Sequence, residues 1–162
     1  MYKRQLDAER VRALVGTTLN ADHPLVFAID TSTWVRNDAE TSPQRGYFYH
    51  PSRHSAGKPV VAGWSYSWVA QLGPVSSSWT APLDVRRVAP GRTAHELADE
   101  QVQHVVNVLP AGGASPLFVF DGGYDPVRLS KLKDADSVSV LVRVRRNRRF
   151  FFDATTRPGP QG

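Results

Sequence analysis

The 162 residues are 41% hydrophobic and 22% charged, enough apolar mass for one folded domain and too much for disorder throughout. Cysteine is absent, which excludes a disulfide framework and a thiolate metal site, and no apolar run approaches the roughly 18 residues that a membrane span needs. The formal charge of +5 is local: Arg143, Arg145, Arg146, Arg148 and Arg149 place five arginines within seven residues, and the rest of the chain is neutral. Such a patch suits a polyanionic partner, or else a solvated edge that discourages strand pairing.

The first residues show no signal pattern, and the chain reads as a soluble intracellular protein with no membrane partner. Residues 1–5 read as a non-native leader and 6–22 as the remnant of an N-terminal region or linker. Residues 23–153 form the core, and 154–162, rich in Pro and Gly, form a truncated loop.

In chain order, Val11, Leu14 and Val15 give residues 6–15 the pattern of a short amphipathic helix. Pro24 then leads Leu25, Val26, Phe27, Ala28 and Ile29 into Asp30. An unbroken apolar run of this kind predicts a strand covered on both faces, ending at Asp30. Residues 46–50 make a second strand and 51–58 a loop, and His50, Arg53, His54 and Lys58 make this stretch polar. His50 and His54 stand four apart, as zinc ligands on a helix do, but Pro51 between them argues against a helix and against zinc. Residues 60–72 predict a third strand with Trp64, Tyr66 and Trp68 on one face, read as core packing, with base stacking as the other use of such a row. Residues 78–88 read as a short extension.

The period then changes. Thr93 and Glu96 form a capping-box pattern, and Ala98, Val102, Val105 and Leu109 follow at helical spacing until Pro110. Pro116 opens a second apolar run, Leu117 to Phe120, that ends in Asp121 and Gly122-Gly123. Asp125 before Pro126 predicts an N-cap and a short helix to about residue 133. Residues 138–145 alternate as a strand, and 150–152 suggest a sixth short one. Three strands followed by helix, strand, helix and strand fit a mixed α/β sheet in which the first and fourth strands lie side by side. Their two aspartates would then converge as an oxygen-rich site for Mg²⁺ or Mn²⁺.

Four phrases together resemble insertion-sequence DDE transposases of the RNase H-like superfamily. They are Phe27 to Trp34, Lys58 to Tyr66, Ser78 to Asp84 and Val119 to Asp125. The resemblance implies an RNase H-like mixed five-stranded sheet, C-terminally truncated, with Asp30 and Asp121 as the first two catalytic and metal-binding acids. It implies a Mg²⁺ or Mn²⁺ two-metal site in the full-length protein, DNA ends and target as partners, a homo-oligomer when full length, and a cytoplasmic location at the bacterial nucleoid. The third acid, a glutamate on a later helix, has no counterpart; Asp153 is a poor substitute, so the chain reads as a fragment inactive by itself. Arg53, His54, Lys58 and the five clustered arginines are the expected DNA contacts. A non-catalytic nucleic-acid-binding module, another RNase H-like nuclease or resolvase, and a glycosidase with paired carboxylates remain alternatives.

Overall fold

The computed structural model describes residues 25–49, 60–73, 78–109, 114–134 and 138–150. Six strands make one mixed sheet: β1 (Val26–Val35), β2 (Gly46–Tyr49), β3 (Val60–Leu72), β4 (Thr80–Val88), β5 (Leu117–Phe120) and β6 (Ser139–Val142). The helix α1 (Ala94–Val108) joins β4 to β5, and the short α2 (Pro126–Ser130) with a 3₁₀ turn (Lys131–Asp134) joins β5 to β6. The strand order is β2-β3-β1-β5-β6, with β4 also on β3. β2 pairs with residues 60–63 of β3 and β4 with residues 65–72, so the 13-residue β3 carries both as well as β1. The RNase H-like mixed α/β sheet is as expected, with six strands in place of five.

Both helices cover one face of this sheet. Phe27 and Ile29 of β1, Val69 of β3, Leu83 of β4 and Phe118 and Phe120 of β5 meet Ala98, Val102 and Val105 of α1 and Leu129 of α2 in one buried cluster. The Phe27 and Phe118 rings stack with centroids 5.2 Å apart. Each fully buried apolar side chain contributes about 1.5–3 kcal/mol, so this layer fixes the pairing of β1 with β5. α1 begins with the expected reciprocal cap. Glu96 N–H donates to Thr93 Oγ1 at 3.2 Å, and Thr93 N–H donates to Glu96 Oε2 at 2.8 Å. Arg128 then ties α2 to α1 through Asp99 Oδ2 at 2.6 Å.

Three expectations need correcting. β1 does not stop at Asp30 but runs on to Val35, because β3 continues to pair with it after β5 has ended. Residues 80–88 are a nine-residue strand rather than a short extension. The tryptophan row of β3 is not core: Ser65, Ser67, Val69 and Gln71 point to the helices and are buried, while Trp64, Tyr66 and Trp68 occupy the other face. The inward serine is satisfied by α1. Ser67 Oγ donates to Gln101 Oε1 at 2.6 Å, and Gln101 Nε2 donates back to Ser67 O at 3.2 Å.

β1 and β3 also approach unusually closely at one point. A Cβ on Gly63 would meet the Trp34 carbonyl oxygen at 2.1 Å, so only glycine fits there. The expected helix at 6–15 and the polar loop at 51–58 lie outside the described residues, as do residues 151 and 152 of the suggested sixth strand.

Candidate metal site and basic groove

β1 and β5 run parallel with Val26 beside Leu117 and Ile29 beside Phe120. Asp30, within β1, and Asp121, just past the end of β5, directly follow this last pair of two strands whose axes are about 4.8 Å apart. Acids 91 positions apart in sequence therefore become neighbours at one edge of the core. Both are exposed. Each has one oxygen held by backbone: Thr31 N–H donates to Asp30 Oδ1 at 2.7 Å, and Gly123 N–H donates to Asp121 Oδ1 at 2.9 Å. Neither makes an ion pair among the described residues. Carboxylate oxygens are hard donors of the kind that suit Mg²⁺ or Mn²⁺. No third His, Cys, Asp or Glu joins them among the described residues.

Tyr124 lies beneath this pair and had not been singled out from the sequence. Its ring packs between Phe120, with centroids at 5.1 Å, and His95, at 5.3 Å, and the residue is only 5% exposed. Its hydroxyl is buried and makes no hydrogen bond. Burial pushes its pKa up to about 12; the nearby Ser67 hydroxyl opposes this, and the negative charges of Asp30 and Asp121 add smaller upward pushes. Ser67 has already committed its hydrogen to Gln101. Tyr124 is thus a neutral O–H held near both acids. The only cue in the sequence was its place three residues after Asp121.

The arginines arrive beside the second acid. Arg143 N–H donates to Phe120 O at 3.0 Å, which carries the chain from β6 past the end of β5. Arg145 Nε donates to Gly122 O at 2.9 Å, and Arg148 Nη2 donates to Asp125 Oδ1 at 2.7 Å. A Cβ on Gly122 would press on Arg143 O and Arg145 Cγ, both at 3.3 Å, so this glycine makes room for the basic segment. Together with His95 these residues line a groove of about 480 Å³ next to Asp121. Arg146 and Arg149 are exposed. Asp125 is a cap: its Oδ1 accepts from Val127 N–H at 3.2 Å, and this bond first, then Arg148, holds its carboxyl below the usual range. A larger depression of about 670 Å³, between β2 and the start of α1, is lined by no carboxylate among the described residues. Arg53, His54 and Lys58, expected as DNA contacts, lie outside the described residues, as do His50 and Asp153.

Residues 4–162 match the family described as DDE superfamily endonuclease. The chain belongs to that family. No curated protein and no solved structure matches it. Membership of the DDE superfamily endonucleases accounts for the mixed sheet and for the expectation of divalent-metal nuclease chemistry on DNA. No helix among the described residues of this DDE superfamily endonuclease is long and apolar enough to cross a membrane.

Proposed function

We propose that this DDE superfamily endonuclease is a transposase core that cleaves and joins phosphodiesters at transposon ends, with Asp30 and Asp121 as its first two metal-binding acids. The parallel register of Ile29 with Phe120 supports this reading, because Asp30 within β1 and Asp121 just after β5 follow that pair directly. Divalent metal bound there would supply activation of a water or 3′-hydroxyl and neutralisation of charge on the departing oxygen. Asp30 and Asp121 would hold the metal, and Arg143, Arg145, Arg146, Arg148 and Arg149 would hold DNA phosphates. No protein nucleophile is required. No third carboxylate joins this pair among the described residues.

The test is Mg²⁺- or Mn²⁺-dependent nicking of transposon-end DNA by the protein. Asp30→Asn and Asp121→Asn are expected to abolish nicking while circular dichroism stays native. Nicking at the wild-type rate by either variant would overturn the assignment. The shortage of a third acid among the described residues favours one other reading, a nucleic-acid-binding module with structural aspartates, which would bind neither ion.

A further inference from the structure

The face of the sheet opposite the helices carries an aromatic row that neither the core nor the acid pair explains. By register, Asp30 lies opposite Trp68, Ser32 opposite Tyr66 and Trp34 opposite Trp64, so all six share one face. On the other side of β3, Arg87 stands opposite Tyr66. Its guanidinium sits 5.4 Å from the Trp64 ring centroid and 5.7 Å from that of Tyr66. Arg36 sits 5.9 Å from both Trp34 and Trp64, whose rings meet edge to face at 5.8 Å.

These groups are held in place rather than loosely exposed. Trp64 Nε1 donates to Pro43 O at 3.3 Å, Arg87 Nη1 donates to Gln44 Oε1 at 3.1 Å, and Arg36 is fixed by Asp38 at 2.9 Å. Arg87 pairs with no carboxylate among the described residues. Trp34 is nevertheless 56% exposed and Trp68 40% exposed. β3 buries Ser65 and Ser67 while turning Trp64, Tyr66 and Trp68 outward, the reverse of what core stability favours. A contiguous aromatic patch laced with guanidinium groups matches the surfaces on which unpaired bases stack while cations meet the phosphates. Its position is equally specific. Asp30 and Trp34 are four residues apart on one strand, about 13 Å, or roughly four nucleotide steps at the spacing of a duplex strand.

We propose that Trp34, Trp64 and Tyr66, with Arg36 and Arg87, form a stacking platform for unpaired nucleotides of the DNA strand that flanks the phosphate held at Asp30 and Asp121. The proposal rests on the DNA-processing function above and adds a requirement that function does not make: the flanking DNA is splayed open. Exposed aromatics are the groups that distinguish unpaired bases from a blunt duplex, whose bases are stacked on one another.

The test is fluorescence anisotropy with a blunt duplex and with the same duplex carrying a four-nucleotide single-stranded fork, the fork also bearing 2-aminopurine. Wild-type protein is expected to favour the forked DNA by roughly tenfold, the contribution of about one stacked base, and to quench the 2-aminopurine. Trp34→Ala should bring the ratio of the two affinities close to one and abolish quenching, while Trp34→Phe, which keeps a ring, should restore most of both. Equal affinity for the two DNAs in wild type, or an unchanged ratio in Trp34→Ala, would overturn the platform and leave the DNA-processing reading standing. Failure to bind either DNA would overturn both. Dimerisation through this face, detected by sedimentation and lost in Trp34→Ala, would assign the patch to a second copy and also overturn the proposal.

Discussion

Ile29 and Phe120 lie side by side on parallel strands, both buried under α1, and the residue after each is an aspartate. The core and the candidate site are therefore coupled. The apolar side chains that lock β1 against β5 also set the separation of Asp30 from Asp121, and a slip of one residue in that register would turn one acid to the opposite face.

The buried polar contact between β3 and α1 predicts a stability loss in mutants. Gln101 is fully buried and exchanges two hydrogen bonds with Ser67. Gln101→Ala removes both partners and leaves the Ser67 hydroxyl unsatisfied, which should cost about 2–3 kcal/mol in urea unfolding. Ser67→Ala strands the amide oxygen and should cost about 1–2 kcal/mol. A loss below about 0.5 kcal/mol for Gln101→Ala would show that the pair contributes little.

Tyr124 predicts a specific pH dependence. Its pKa in the folded protein is raised to about 12, above the ordinary value of 10, so the unfolded chain ionises first as the pH rises. The corresponding stability is complete below about pH 10 and is lost as the pH climbs towards 12. Tyr124→Phe deletes an unsatisfied buried hydroxyl. It should match or exceed wild type at pH 7, by up to about 1–2 kcal/mol, and should lose this alkaline component. Denaturant unfolding at pH 7 and across pH 9–12 checks both points; a variant less stable at neutral pH would contradict them.

The basic segment predicts salt-dependent DNA affinity. Each phosphate contact contributes about 0.9 to the slope of log affinity against log salt, so Arg146→Ala, at an exposed position, should lower the slope by about 1 with unchanged unfolding. Arg145→Ala should do more, because Arg145 also holds the Gly122 carbonyl next to Asp121. Anisotropy titrations across a salt series measure both, and salt-insensitive binding would remove these arginines from the interface.

Much of this was legible in the sequence, for identifiable reasons. The apolar runs before Asp30 and Asp121, the Thr93–Glu96 cap and the Asp125–Pro126 helix start are short-range patterns, and the paired strands and both caps are present in the fold. The misreadings arose where long-range pairing decides. The extension of β1 to Val35 depends on β3, whose partner residues lie about 30 positions away. β4 was hidden by the buried Asp84 and its neighbour Arg86, which pair with each other at 2.7 Å under a register irregularity between Val69 and Ala70. The alternation of β3 was read correctly but assigned to the wrong face, because nothing local shows that Gln101 waits across the core for Ser67.

The most direct test of the two-acid site is Mn²⁺ binding, followed by electron paramagnetic resonance and by calorimetry in wild-type protein, Asp30→Asn and Asp121→Asn. Wild type is expected to bind Mn²⁺, and each substitution to weaken binding at least about tenfold, an effect that even supporting residues have at metal sites, with folding intact. Equal Mn²⁺ affinity in all three proteins, or no binding by wild type, would contradict a metal site at Asp30 and Asp121.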